Sequence, residues 1–350
     1  MKASKLLFIL VLTLLIGGGA VYMFQEQEKQ VLDQEFGQEF LSGLSDKIND
    51  VSRVIVQDDA MTVNLVKKES DWVLEEKSGY PADFSKVKQL LVTLADMETI
   101  ESKTSRPESY GRIGVQGVGV EGDEKSKQIK LLDKSEGLLY SVIIGKAKQA
   151  SGPGSKQALY ARLENEDKSW LVSGSVRVPT SLDQWLDKAI VNIDRKEIQS
   201  VEIKHADNTS LKIFKAEKEA TDFTIEEQPA GTKVKSVSTV NNIASGLQNL
   251  TFDDVVVRSK FEIDEKEISH VSFKTFDDLI VNAKLAKKDD KDYIWFDAKS
   301  ATGEGESMNK AQELNNDFAL WIYQVPSFKA DALLKQMADL VEPEVKEEAN

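Results

Sequence analysis

Val51-Ser52-Arg53-Val54-Ile55-Val56, Trp72-Val73-Leu74-Glu75-Glu76 and the run 87–97 return later in the chain as Ile198-Gln199-Ser200-Val201-Glu202-Ile203, Phe223-Thr224-Ile225-Glu226-Glu227 and the run 240–250. The offset is about 150 residues, the length of a domain rather than of a short solenoid unit. Two tandem copies of one fold are therefore expected. Each copy opens with alternating segments rich in Val, Ile and aromatic residues, which read as half-buried antiparallel strands. They fall at 53–56, 61–65 and 72–74 in the first copy and at 201–203, 211–214 and 223–225 in the second. A helical run follows, with Val87, Leu90, Leu91, Leu94 and Met97 matched by Val240, Ile243, Leu247 and Leu250. Before each run lies a turn, Gly79-Tyr80-Pro81 or Pro229-Ala230-Gly231. A helix laid on one face of a small antiparallel sheet buries the apolar side of both, so each copy is predicted to be an α+β unit.

Further strands are expected at 129–132, 138–144, 159–163 and 170–172. Val178-Pro179 is echoed by Val325-Pro326. The spacing predicts a helix after each, carrying Leu182, Trp185, Leu186 and Ile190 in the first copy and Phe328, Leu333, Leu334 and Leu340 in the second. The organisation that results is a cytoplasmic tip and transmembrane anchor (1–24), a juxtamembrane amphipathic helix (25–50), the two repeats (51–195 and 196–341) and an acidic tail (342–350).

The anchor rests on residues 6–24, which follow Lys2 and Lys5 and carry no charge. That is about the length that crosses a bilayer core as a helix. A cleaved signal peptide is the alternative, with 6–16 as its apolar core and Gly18-Gly19-Ala20 as the cleavage site. Val21, Tyr22, Met23 and Phe24 continue the apolar run past that point, and Tyr22 and Phe24 suit an interfacial belt, which favours a retained anchor. With no cysteine in the chain, a lipoprotein is excluded. Glu26 and Glu28 follow the span, so the basic end stays in the cytoplasm and the bulk of the chain is expected in the periplasm, on a single pass of a bacterial inner membrane. Leu32, Phe36, Phe40, Leu44 and Ile48 fall at steps of four, interrupted by Gly37 and Gly43. They predict an amphipathic helix packed on the first domain, on a partner helix or on the membrane surface. A net charge of -14 disfavours nucleic acid and anionic lipid as targets of the distal body.

The residue inventory is poor in catalytic types. Histidine occurs only as His205 and His270, neither beside a second His or a Cys at metal-ligand spacing, so zinc and Ser-His-Asp chemistry lack their parts. Paired acids stand at Asp58-Asp59, Asp253-Asp254, Asp277-Asp278 and Asp289-Asp290. Carboxylate pairs serve glycosidases and calcium sites, but neighbours on a strand point to opposite faces and those in turns are solvated. Gly111, Gly114, Gly117, Gly119 and Gly122 lack the preceding strand, following helix and Gly-Lys-Ser/Thr end of a phosphate loop, and read as turn residues, as does the hairpin tip 150–155. Trp72, Trp170, Trp185, Trp295 and Trp321, with Tyr160 and Tyr293, sit in strands and helices as core residues would; an aromatic ligand site in the cleft between the copies is the alternative. No residue is assigned as catalytic, cofactor-binding or metal-ligating.

Several stretches resemble the bacterial family of domain of unknown function 4340 (DUF 4340): Trp72-Val73-Leu74 with Pro81-Ala82-Asp83, Tyr110-Gly111-Arg112-Ile113-Gly114, Ile143-Ile144-Gly145, Tyr160-Ala161-Arg162, and Leu186-Asp187-Lys188 before Ile198. The resemblance covers nearly the whole chain, although Tyr110-Gly111-Arg112-Ile113 replaces the Tyr-Gly-Leu-Asp pattern expected there. It implies an envelope protein associated with ABC-type export systems of the gliding-motility type, and it brings no catalytic residues or cofactor. The function expected is that of a non-enzymatic accessory or scaffold subunit, whose partner is a membrane complex such as an ABC transporter permease. The alternative is an extracytoplasmic solute- or glycan-binding module using the cleft between the repeats. A cell-wall hydrolase working through Asp253 or Asp277 is a third, weaker reading.

Overall fold

The computed structural model describes residues 36–69, 71–120, 126–148 and 157–344. The apolar run 6–24, the first part of the predicted juxtamembrane helix (25–35), the hairpin tip 150–155 and the end of the acidic tail lie outside the described residues. Among the described residues no helix is long and apolar enough to cross a membrane. The chain is α+β, with mostly antiparallel sheets and few helices, and it divides into two compact units that meet between Leu186 and Asp187.

In the first unit the strands are β1 (Arg53–Gln57), β2 (Thr62–Lys68), β3 (Asp71–Leu74), β4 (Tyr80–Pro81), β5 (Thr99–Ser102), β6 (Lys127–Leu132), β7 (Leu138–Lys148), β8 (Ala158–Leu163) and β9 (Ser169–Ser173). They form one antiparallel sheet in the order β4-β3-β2-β1-β6-β7-β8-β9-β5. Alternation decides its faces: Val54, Val56, Val63, Leu65, Ile129, Leu131 and Val142 are buried on one side, each worth about 1.5–3 kcal/mol by removal from water. The helix Phe84–Ala95 covers that side with Val87, Leu90, Leu91 and Leu94. The side chain of Asp83 starts the helix by accepting from the Ser85 and Lys86 amides, a cap worth about 1 kcal/mol.

Strands of the second unit are β10 (Ala189–Val191), β11 (Ile198–Lys204), β12 (Ser210–Phe214), β13 (Thr224–Ile225), β14 (Thr232–Val234), β15 (Leu250–Thr251), β16 (Asp254–Val257), β17 (Ser269–Thr275), β18 (Leu279–Lys288), β19 (Lys291–Ser300), β20 (Trp321–Val325) and β21 (Val341–Pro343). The main sheet runs β13-β12-β11-β17-β18-β19-β20-β16, and the pairs β10-β15 and β14-β21 stand apart from it. From β3 onward the first sheet follows the same path. After three strands and a helix, each unit reaches the far edge (β5 or β16), returns beside its first strand (β6 or β17) and meanders outward again. Val201, Ile203, Val271, Phe273, Val281 and Ala283 make the buried face here. The helix Val237–Ala244 presents Val240, Ile243 and Ala244 to the interior, and Gly305–Phe318 packs along β18 and β19.

Four expectations are corrected. The amphipathic helix does not extend over 36–43. Gly37 and Gly43 take positive φ (68° and 76°), and the chain pairs laterally instead, Gly37 and Phe40 donating to the carbonyls of Thr99 and Met97. Only Leu44–Lys47 is α-helical, and Phe40, Leu41 and Leu44 are buried within the first unit. After Val178-Pro179 there is one 3-10 turn, Leu182–Trp185, and then β10 rather than a helix, because Trp185 and Leu186 pair with the Ala82-Asp83 backbone. Residues 187–195, read as the end of the first repeat, lie in the second compact unit. Glu342 and Pro343, read as tail, belong to β21, paired with Lys233 and Thr232.

Candidate functional site

Each sheet has a second face, pointing away from its buried side, and the connection after the far-edge strand crosses it. In the first unit this is the segment between β5 and β6. Its helical turn Tyr110–Ile113 and Val115 pack on Ile143 of β7 and Tyr160 of β8. Beneath them Arg162 is buried, and its guanidinium donates to the carbonyls of Val115, Gln116, Leu163, Glu164 and Glu166 at 3.0–3.4 Å. The guanidinium carbon lies 4.6 Å from the centre of the Tyr110 ring, and the Tyr110 hydroxyl donates to the Asp167 carbonyl at 2.5 Å. Desolvation holds the Tyr110 pKa above its ordinary value. At Gly145 a Cβ would strike the Ile113 and Gly114 carbonyl oxygens, so only glycine lets the turn sit this close. Three of the quoted family stretches, Tyr110 to Gly114, Ile143 to Gly145 and Tyr160 to Arg162, thus converge on one knot.

Beside the knot runs a polar chain. Gln128 donates to the Ser141 hydroxyl (3.2 Å), which donates to Glu164 (2.7 Å), with Lys130 3.6 Å from the same carboxylate. The Ser141 hydrogen bond, opposed by burial, keeps the Glu164 pKa below its usual range.

At the matching place in the second unit the Ser272 hydroxyl donates to the Asn282 amide oxygen (2.9 Å), and the Asn282 amide nitrogen donates to Asp297 (2.7 Å). The connection between β16 and β17 covers one end of this face with Phe261, Ile263 and Ile268, packed on Trp295, Ile322 and Tyr293. The Phe261 ring centre lies 4.7 Å from that of Tyr293 and 6.1 Å from that of Trp295. The rest of the face stays open as a concavity of about 280 Å³ lined by Glu202, Lys204, His270, Ser272, Asn282, Lys284 and Asp297. Strand register sets Lys204 opposite His270 and His270 opposite Lys284, with Trp295 next in the same row. Burial first, then Lys284 and Lys204, hold the His270 pKa below its ordinary value, while Asp297 and Glu265 pull the other way.

The other candidates disperse. His205 sits in a turn, its Nε2 buried without a hydrogen-bond partner among the described residues. Asp58 caps its own turn through the Ala60 and Met61 amides, and Asp59 accepts from Gly119. Asp289 and Asp290 form the β18–β19 hairpin turn at positive φ; Asp278 also has positive φ, and Asp254 accepts from the Val255 amide. The Lys188 ammonium donates to the backbone carbonyl of Asp253. Among the described residues no group of three or more His, Cys, Asp or Glu is placed to hold a metal. All five tryptophans are buried. Sequence reasoning named His270 but not Glu202, Lys204, Ser272, Asn282, Lys284 or Asp297; alternation along each strand puts them on the non-core face, but only the register brings them together.

A family profile, described as Domain of unknown function (DUF4340), matches residues 72–273, from β3 of the first sheet to β17 of the second. The chain belongs to this family. No curated protein and no solved structure matches it. In this DUF4340 chain the convergent family stretches therefore build a packing knot, and the open polar face belongs to the other sheet.

Proposed function

We propose that this DUF4340 protein is a non-enzymatic, single-pass inner-membrane protein. Its extracytoplasmic body comprises two copies of one α+β fold and serves as an accessory or scaffold subunit of an envelope complex, in particular an ABC-type transporter. The observation that carries the reading is the use made of the Tyr110, Gly145 and Arg162 stretches: their polar atoms hold backbone to backbone rather than facing solvent. Shared architecture without shared exposed chemistry favours a body that presents surfaces over one that turns over a substrate. The uncharged run 6–24 supports the anchor. Duplication is supported by the common strand order of the two sheets together with the recurrence of 51–56 as 198–203.

The test is an affinity capture of the full-length chain from crosslinked membranes, beside a chain lacking residues 1–24, read by mass spectrometry. Enrichment of a permease or ATPase with the anchored form alone is the expected result. Recovery of both forms without any membrane subunit would remove the accessory role.

A further inference from the structure

The row Lys204, His270, Lys284 spans three adjacent strands, β11, β17 and β18, with each residue directly opposite the next. Neighbouring strands lie about 4.8 Å apart, so the three side chains fit within the reach of one small ligand. The two lysines flank His270 from either side and disfavour a proton on it, so the row holds its positive charge on the lysines alone. Neither lysine's side chain makes an ion pair or hydrogen bond with the described residues, unlike those of Lys212 and Lys130, which pair with Glu226 and Glu164. The adjacent row is held differently. Ser272 and Asn282 lock one Asp297 oxygen in a hydrogen-bonded chain, and Glu202 stands at the other end, opposite Lys212 on its outer side. Cationic donors along one row and acceptors along the next line a concavity of about 280 Å³.

The first sheet supplies the control. Its corresponding row is Gln57, Gln128, Ile143 and Arg162, whose one cation is consumed by backbone carbonyls beneath the covering turn. The exposed cationic row is thus a feature of the second unit alone and no requirement of the fold.

We propose that this face binds a small polar solute carrying a phosphate-type oxyanion, which lies across Lys204, His270 and Lys284, while Glu202 and Asp297 accept from its hydroxyl or ammonium groups. The proposal stands whether or not the chain assembles with a transporter.

Isothermal titration of the full-length protein in detergent, with inorganic phosphate and with glycerol 3-phosphate, tests it. Saturable binding is expected, tighter for glycerol 3-phosphate, and Lys284→Gln should weaken it about tenfold, the effect of losing one charge-assisted hydrogen bond. Lys299→Gln, two rows away on the same sheet face, should leave it unchanged. Thermal melting of each variant checks the fold; should Lys284→Gln melt lower than the parent, Lys204→Gln is titrated in its place. A parallel titration with short-chain phosphatidylglycerol in mixed micelles separates the sources. Binding there but not to the soluble phosphates, again lost in Lys284→Gln, assigns the oxyanion to a lipid headgroup. No binding to any of the three probes, or equal binding by parent and Lys284→Gln (an adventitious ion only), overturns the proposal.

Discussion

On the outer face of the first sheet Gln57, Gln128, Ile143 and Arg162 stand side by side; at the matching positions of the second stand Lys204, His270, Lys284 and Trp295. The buried faces of the two sheets are alike, both built largely from Val, Ile and Leu, with Phe273 and Phe296 added in the second, because burial leaves little choice. The outer faces differ because each unit covers a different share of its own. A turn with many free carbonyls crosses the first face, and a covered carbonyl needs a donor, so Arg162 lies beneath it. The second is crossed by Phe261, Ile263 and Ile268, which need only apolar partners, and Trp295 provides one. Gly145 and Ala286 occupy equivalent positions and repeat the contrast: backbone presses on the first, side chains on the second.

The largest expected effect comes from Arg162→Met. It keeps the apolar stem but strands the carbonyls of Val115, Gln116 and Glu166, and should cost roughly 3–5 kcal/mol in denaturant unfolding. If the loss is under about 1 kcal/mol, water replaces the guanidinium and the knot is not what seats the turn. Next is Gly145→Ala, expected to cost about 1–3 kcal/mol by forcing the Ile113-Gly114 backbone away. The reciprocal change, Ala286→Gly, should cost about 1 kcal/mol or less, from chain entropy and one lost methyl. Equal costs for the two would break the contrast between backbone and side-chain covers.

Much of this architecture was legible in the sequence. Period-two alternation located the opening strands, and the helical spacing of Val87, Leu90, Leu91 and Leu94 located the helix Phe84–Ala95. The helix Gly305–Phe318 was missed because few of its positions are buried. It is held partly by Asn315, whose amide both donates to and accepts from the Ala298 backbone, in place of a strand partner. The stretch 36–43 carries apolar residues at steps of four, but Gly37 and Gly43 adopt positive φ and break the helix that this spacing favours. The polar face was illegible for a different reason: Lys204, His270 and Lys284 are 66 and 14 positions apart, and only a specific register makes them neighbours.

A smaller effect separates the polar chains beside the two rows. Ser141→Ala removes the hydroxyl that joins Gln128 to Glu164 and should cost about 1 kcal/mol at neutral pH, reduced by screening because the Glu164 side chain is 44% exposed. Its pH dependence has a definite sign. Glu164 is held below the ordinary glutamate value of about 4.3, so its contribution is complete above that pH and is lost as pH falls through the lower folded-state value. The difference between parent and Ser141→Ala should therefore be constant above about pH 5 and shrink in acid, read from urea midpoints across pH. A difference that stays constant into acid would assign the cost to packing rather than to the carboxylate.

The smallest effect is also the one that goes against the usual direction of mutation. Lys204→Gln gives the second sheet the residue that the first already has at that position, Gln57. Lys204 and Lys284 stand two strands apart and repel each other through solvent, so this change should stabilise the ligand-free protein by about 0.2–0.5 kcal/mol at low salt. The gain should vanish at high salt, because the Debye length falls from roughly 30 Å at 0.01 M to 3 Å at 1 M. His270 fixes the pH trend. Its folded-state pKa lies below the ordinary value of about 6.5, so as pH falls through that value the folded state resists a proton that the unfolded chain accepts, and stability declines. Lys204, Lys284, Glu202, Asp297 and Glu265 are the charged groups facing it; removing Lys204 relieves one of the two repulsions, so the gain should be larger below that pH than above it. A loss of stability in Lys204→Gln, independent of salt, would mean that the lysine stem packs on the sheet and that the two outer faces differ in shape rather than in charge.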